Sequence, residues 1–487
     1  MSSSSVAHPF ASAEPHAVPA ADLIARFSAI VGEKYALTDV NDQKPYLLEW
    51  RDLYEGVTPV VLRPGTTAEV AEILKLASET GTTIVPQGGN TGLVGAQVPD
   101  QSGSEIVLSL GRLNRIRHVD PAGDAITVEA GVILDNIHAA ADAVDRLFPL
   151  TLGAQGSCTI GGNLASNAGG TAVIAYGNAR DLVLGLEVVL PTGEVIDGLR
   201  SLRKDNAGYD MKHLFLGSEG TLGVITAAVL KLFPKPRAKE VAVVGVETPA
   251  AALELLALAK AKAGSQLTAF EIMPRRLVEF SIAHIPGTRD PLTTPQPWYL
   301  LVEISVGTSE EAARAIMEAI LEQGFEAGLV VDATLAASLK QRDDFWKLRH
   351  EMSGVQKMEG GSIKHDVSLP VALVPAFLDR AIPAAESLIP GCRPVPFGHL
   401  GDGNIHFNIT QPAGADKATF LARWEEMNAV VHSIVTEMGG SIAAEHGVGR
   451  LKRDLLPGVR SGPEMALMRR LKAMLDPKGI LNPGRVL

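Results

Sequence analysis

The sequence predicts an α+β protein of more than one domain, with a glycine-rich α/β half followed by a half in which long helices alternate with the strands of an antiparallel sheet. Three observations carry this prediction. A strand-helix-strand pattern beginning near Thr58 runs directly into a glycine loop. Pro234-Lys-Pro236 then breaks the chain, and beyond it the texture changes to long helical stretches separated by strands. Near the far end, Asp402-Gly403 is a two-residue hairpin signal between two strand-like runs. At 487 residues the chain exceeds the size at which one hydrophobic core stops growing, so several domains are expected.

The elements follow in order. Val60–Leu62 reads as a strand, and a helix follows Thr66 and Thr67, with apolar residues at Val70, Ile73, Leu74 and Leu76 marking one face. Thr67 is the expected N-cap and Gly81 the expected stop. The strand Thr82–Val85 then delivers Pro86-Gln-Gly-Gly-Asn-Thr-Gly92 to the carboxyl end of a sheet, where α/β folds bind ligands. A second glycine-dense segment spans Gly153–Gly170, and a third, Gly217–Gly223, leads into a strand over Val224–Leu232. Past the break, helices are expected over Ala250–Ala263, Ser309–Gln323, Asp344–Met358 and Trp424–Met438, with strands over Trp298–Val306 and Ser362–Val367. No repeat of fixed period interrupts this order.

Composition removes several function classes. A net charge of -11, from 55 acidic and 44 basic residues, argues against a broad nucleic-acid surface. The two cysteines, Cys158 and Cys392, are read as free thiols in a reducing compartment. No Lys or Arg precedes Arg26 and no apolar core follows the Ser/Ala/Pro-rich opening, so neither a signal nor a transit peptide is expected there, and residues 1–20 read as a disordered tail. No apolar run has the length of a membrane span. A cytoplasmic location is expected.

The glycine segments match neither a dinucleotide G-x-G-x-x-G nor a phosphate-binding G-x-x-x-x-G-K-[ST]. They pair glycines with Asn, Ser and Thr, a composition that presents bare N–H groups to a pyrophosphate. The motifs PQGGNTGLVG (86–95), GSCTIGGNLASNAGG (156–170) and GSEGTLGVIT (217–226) resemble the FAD-binding half of the vanillyl-alcohol oxidase type flavoproteins. That resemblance implies an FAD-binding domain of two α/β subdomains over 21–236. It implies that Pro86, Gly88, Gly89, Asn90, Thr91 and Gly92 wrap the pyrophosphate. Gly153, Gly156, Ser157, Thr159, Gly161, Gly162, Asn163, Asn167, Gly169 and Gly170 then line the flavin and its ribityl chain, and Gly220, Gly223 and Ile225 meet the cofactor through main chain. Covalently flavinylated relatives often carry His where this chain has Asn90, so the FAD is expected to be non-covalent, although Cys158 lies close by in sequence.

The C-terminal half carries a second constellation. With Asp402-Gly403 as the turn, Gly401 pairs with Asn404, Leu400 with Ile405 and His399 with His406, placing both imidazoles on one face with Cβ atoms about 4.5–5.5 Å apart. Asn408 shares that face. Glu445-His446-Gly447 supplies a carboxylate, and two imidazoles with a carboxylate suit a divalent ion that keeps open positions. Arg349 and Ser353 lie four apart on one helix, and Lys364 follows in a strand. Two cations suit a dicarboxylate, Arg as a planar fork and Lys as a point charge. From these residues alone a metal hydrolase, activating water, is a rival reading.

The segments SLRKDNAGYDMKHLFLGSEGTLG (201–223), KHDVSLP (364–370), GHLGDGNIHFN (398–408), EHGVGRLKRDLL (445–456) and LNPGRVL (481–487) narrow the resemblance. They are similar to FAD-linked D-2-hydroxy acid dehydrogenases, the D-2-hydroxyglutarate dehydrogenase family first, with D-lactate dehydrogenases and the flavin subunit of glycolate oxidase as relatives. The resemblance implies that His399, His406 and Glu445 hold zinc or a similar ion. His446 is the base, and Arg349, Ser353, Lys364, Asn408 and His446 contact a small 2-hydroxy acid. Ser353 stands where a threonine is expected. Residues 237–450 form the substrate or cap domain, and a helical segment over 451–487 returns to the FAD domain, bringing Asn482 to the flavin side. Electrons pass to an acceptor protein or a quinone, and a homodimer is compatible with the family.

Overall fold

The structure is a computed structural model that describes residues 17–487, so most of the expected 1–20 tail lies outside the described residues. Three large sheets, with a two-stranded ribbon of Arg146–Leu147 and Phe233–Pro234, organise the described residues. The first has four strands in the order Ala36–Leu37, Val61–Leu62, Glu105–Ser109, Thr83–Gln87, the last three parallel. The helix Thr67–Thr80 crosses between two of them and buries Val70, Ile73, Leu74 and Ala77 against the sheet, the spacing of one helical face. Gly81 closes it in a left-handed conformation (φ 71°), as expected. The N-cap is Thr66, not Thr67: the Thr66 hydroxyl accepts from the Glu69 N–H, while the Thr67 hydroxyl donates 2.6 Å to Glu187 of the next sheet. A tertiary carboxylate has claimed the second threonine.

The second sheet is antiparallel, with five strands in the order Ile116–Asp120, Ala125–Glu129, Val224–Lys231, Val183–Val189, Val195–Asp197. The segment between its halves carries the second glycine run, which folds into a short helix, Ile160–Ala165, packed on the same core.

The third sheet has seven antiparallel strands in the order Asp332–Leu335, Ala238–Val246, Trp298–Val306, Leu267–Pro274, Arg393–His399, Asn404–Thr410, Ser362–Ser368. This is the antiparallel sheet expected of the second half. Strand alternation separates its two faces. Phe270, Ile272, Ile363, Val367, Ile405, Phe407 and Ile409 join one core with the helices Pro249–Ala263, Glu310–Glu326, Val374–Leu388 and Trp424–Glu437. The intervening residues Glu271, Lys364, Asp366, His406 and Asn408 therefore project from the opposite face, with Val395 and Phe397. That face is covered by the helix Leu339–Val355 through Phe345, Leu348 and Met352. Residues past 475 return to the first sheet, where Leu481 forms a parallel bridge with Ile84 and is fully buried.

Candidate active site

The hairpin that carries the two histidines is shifted from the expected register. His399 lies opposite Asn404 and His406 opposite Phe397, so the loop is Leu400–Gly403 rather than Asp402-Gly403 alone. Leu400 is drawn wholly into the core beneath the sheet, and Gly403 accepts a hydrogen bond from Leu369 N–H, which together pull the loop out of the ladder. The shift is two residues, an even number, so the faces are unchanged and both imidazoles still point the same way. Their rings lie 5.6 Å apart, and with Glu445 they offer three ligand atoms all within 4.8 Å of one another. His399 Nε2 is 3.5 Å from a Glu445 oxygen. These donors fit a divalent ion.

Residues outside the expected set orient this cluster. Glu271, fully buried, receives His399 Nδ1 at 2.8 Å on one oxygen and Arg349 Nε at 2.8 Å on the other. Burial works against a charged His399, yet Glu271 and then Glu445 hold its pKa up at about 9. Arg349 also lies over the Phe397 ring, 4.9 Å from its centre. Asp366, equally hidden, accepts from the N–H groups of Glu445 and His446, each at 2.9 Å, and from the Asn404 side chain at 3.0 Å. Burial alone would raise its pKa, but His446, Lys452, His406 and the donated N–H group hold it well below the usual carboxylate range. It thus fixes the backbone on which Glu445 and His446 stand.

His446 lies beside this carboxylate, its Nδ1 3.4 Å from Asp366, and its ring is nearly parallel to that of His406. Burial pushes its pKa down to about 4, against the pull of Asp366 and helped by Arg51, Lys452 and Lys364. It is a neutral imidazole at physiological pH. Lys364 Nζ donates to the Ser353 carbonyl at 3.1 Å, and Asn408 stands directly across the ladder from Lys364. Ser353 itself is exposed. Burial, then Arg51 and Lys357, lowers the Lys364 pKa to about 8.

The glycine segments converge on one another. A Cβ at Gly88 would strike the Thr159 hydroxyl, one at Gly89 the Ser157 carbonyl, and one at Gly220 would crowd Pro86 at 3.2 Å. Asn90, Asn167, Glu219 and Asn482 all adopt positive φ, between 46° and 56°, and strained backbone of this kind gathers at ligand clamps. Asn90 Oδ1, Thr159 Oγ1 and Asn482 Oδ1 are buried without a hydrogen-bond partner among the described residues, an open set of acceptors and one donor that fits a polar cofactor. Asn90 Nδ2 ties the carbonyls of Pro45 and Leu48 at 2.9 and 3.0 Å. Thr91 and Gly92 continue this loop, while Gly153, Gly156 and Gly162 are exposed along the second segment. Not every glycine faces open space. Gly161 packs on Ala130 and Gly223 on Phe215, and the Ile225 side chain lies in the core, so at these positions only main chain is left to meet a ligand.

Cradle and candidate metal cluster meet. A Cβ at Gly169 would crowd a Glu445 oxygen at 3.1 Å, and one at Gly170 would strike the Thr151 carbonyl. Asn163 holds the Cys158 sulfur at 3.5 Å, and the Asn167 side chain accepts from Arg180 N–H. The Glu219 carboxylate accepts from the N–H groups of Val448 and Gly449 at 2.7 and 2.8 Å, and Asn482 donates to the Glu219 carbonyl at 2.8 Å.

Comparison with known proteins decides the family. A profile described as FAD linked oxidases, C-terminal domain matches residues 235–486, and one described as FAD binding domain matches 58–198. The chain is 37% identical over 464 residues to the mitochondrial D-2-hydroxyglutarate dehydrogenase of Arabidopsis thaliana, covering 95% of this chain and 81% of the relative. It is 39% identical to the Bos taurus mitochondrial enzyme of the same name (97% and 85%), and 35% identical to a D-2-hydroxyglutarate dehydrogenase of Xanthomonas citri (92% and 93%). The chain belongs to the D-2-hydroxyglutarate dehydrogenase family of FAD-linked oxidases. It is an FAD-dependent oxidoreductase, which removes the hydrolase reading.

The fold of this family member is shared more widely. An alkyldihydroxyacetonephosphate synthase superposes with a TM-score of 0.74 at 18% identity, covering 96% of this chain and 86% of the other, and p-cresol methylhydroxylase does so with 0.74 at 17%, covering 96% of both. The vanillyl-alcohol oxidase type architecture is therefore as expected. No helix among the described residues is long and apolar enough to cross a membrane. The cytoplasmic location expected above finds no support in the plant and bovine relatives, whose names place them in mitochondria.

Proposed function

We propose that this family member oxidises D-2-hydroxyglutarate to 2-oxoglutarate, and the observation that carries the reading is the single sheet face on which His399, His406, Asn408, Lys364 and Asp366 gather beneath Arg349, with Glu445 and His446 completing it. The curated relatives named above act on that acid. When bound, FAD supplies hydride acceptance from C2, and a divalent ion such as zinc, held by His399, His406 and Glu445, supplies Lewis-acid polarisation of the C2 hydroxyl.

The chain's own residues do the rest. His446, neutral and backed by Asp366, takes the hydroxyl proton at its imidazole nitrogen. Arg349 keeps Nη1 free of Glu271 for the carboxylate beside the reacting carbon, and Asn408 and the Ser353 hydroxyl supply neutral hydrogen bonds. Lys364 brings a second positive charge. Domain 21–236 carries the cofactor, 237–450 the substrate, and 451–487 closes back on the cofactor side.

The FAD is held without a covalent bond: the Asn90 amide is occupied by two carbonyls, and burial raises the Cys158 thiol pKa, disfavouring the nucleophilic thiolate. An electron-carrier protein or quinone reoxidises it. The test is anaerobic bleaching of the purified yellow protein by a panel of acids. Fastest bleaching by D-2-hydroxyglutarate is expected, and faster bleaching by D-lactate or glycolate would transfer the assignment to those substrates.

A further inference from the structure

One arginine at the site has no assigned partner. Arg51 lies in a tight turn after the helix Val40–Leu47, where Glu49 Oε2 accepts from Arg51 N–H at 2.8 Å and from Leu53 N–H at 3.3 Å, and Asp52 adopts a φ of 60°. Both sides of the active site grip this turn. Asn90 of the cofactor loop holds its entry through the Leu48 carbonyl at 3.0 Å, and Lys357, in the short 3-10 helix Gln356–Glu359 that follows the covering helix, lies 4.1 Å above the Trp50 ring. The turn that bears Arg51 therefore lies between the cofactor loop and the segment that follows the covering helix.

There Arg51 lies within electrostatic reach of Asp366, His446, Lys364 and Lys452, yet its guanidinium forms no ion pair or hydrogen bond among the described residues. Most of its neighbours are otherwise engaged. Asp366 is taken by three donors, Lys452 is bonded to the Ile442 carbonyl and Arg349 to Glu271, while Glu49 gives one oxygen to backbone N–H groups and keeps the other without a hydrogen-bond partner among the described residues. Arg51 and Lys364 are thus two half-buried cations that repel one another, an arrangement that an anion between them would relieve.

Resting on the substrate reading above, we propose that Arg51, together with Lys364, receives the carboxylate remote from the reacting carbon, and so selects 2-hydroxy acids that carry a second carboxylate. The planar guanidinium fork suits two-point binding of that group. Because Arg51 sits on the cofactor half and Lys364 on the cap sheet, the remote carboxylate ties the two together.

The test compares flavin reduction of the holoenzyme by D-2-hydroxyglutarate and D-lactate in wild type, Arg51→Gln and Arg51→Lys, with 2-oxoglutarate and pyruvate binding read from the flavin absorbance. Arg51→Gln should lose about ten- to a hundredfold in kcat/KM for D-2-hydroxyglutarate, mostly in KM, and weaken 2-oxoglutarate binding alike. D-lactate and pyruvate should stay within about twofold of wild type, since they place nothing there. Arg51→Lys should recover part of the selectivity. Retained yellow colour shows that each variant is folded and loaded. A wild type selective for D-2-hydroxyglutarate whose Arg51→Gln variant keeps the same selectivity would overturn the role of Arg51 alone. A wild type that prefers D-lactate would overturn the substrate reading and this inference with it.

Discussion

Glu271 stands between His399 and Arg349, one oxygen 2.8 Å from the imidazole Nδ1 and the other 2.7 Å from the guanidinium Nη2. One buried carboxylate thus sets the direction of a candidate metal ligand and of a candidate substrate cation. Such partners fix the tautomer, leaving Nε2 of His399 to coordinate. Glu271→Gln is expected to lower zinc affinity about ten- to a hundredfold, measured by competition with a chromogenic chelator. Glu271→Leu should cost about 3–5 kcal/mol of stability in denaturant unfolding, because Arg349 is left buried and unpaired.

The pH dependence of substrate binding should follow Lys364. Burial has lowered its pKa to about 8, so the ammonium is present below that pH and is lost as pH rises through it. A bound carboxylate favours the charged form and moves the midpoint upward in the complex. KM for D-2-hydroxyglutarate is expected to rise as pH climbs past about 8, with kcat less affected. Lys364→Arg, charged throughout, should flatten the rise; an unchanged profile in that variant would assign the titration elsewhere.

Removal of the metal should separate the two halves of the site. A chelator is expected to abolish turnover while the yellow colour persists, since none of the candidate ligands His399, His406 and Glu445 belongs to the glycine segments proposed to hold the cofactor, although Glu445 lies against Gly169. Restoring zinc should restore turnover. Undiminished rates after verified metal removal would dismiss its role.

Denaturation by acid or heat is expected to release FAD intact into the supernatant. Flavin fluorescence remaining on the polypeptide after precipitation would instead identify a covalent link, with Cys158 the first residue to test.

Much of this was legible in the sequence because it is local. The three glycine runs, the shared face of His399, His406 and Asn408, and the spacing of Arg349 and Ser353 depend on helix and strand periodicity alone. The hairpin register was misjudged because the burial of Leu400, a tertiary event, overrode the turn preference of Asp402-Gly403. The role of Glu271 is not legible locally because its partner His399 is 128 residues away. A signal is present nonetheless, in a lone acid inside the largely apolar strand LTAFEIMP. Asp366 has the same character, an acid within a half-apolar strand whose contacts, the N–H groups of Glu445 and His446, lie 79 and 80 residues on. Arg51 carried no motif at all and emerges only once the chain is folded.

The bonds from Glu219 to Val448 and Gly449 span 229 and 230 residues, and the Asn482 bond to Glu219 spans 263. A ribosome adds residue 219 long before it reaches 445 or 482. A growing chain can therefore complete its first two sheets while the loop bearing Glu445 and His446 does not yet exist. On the proposed reading, the groups that act on the hydroxy acid are then the last to be joined to the cofactor side, so an interrupted translation product would lack them.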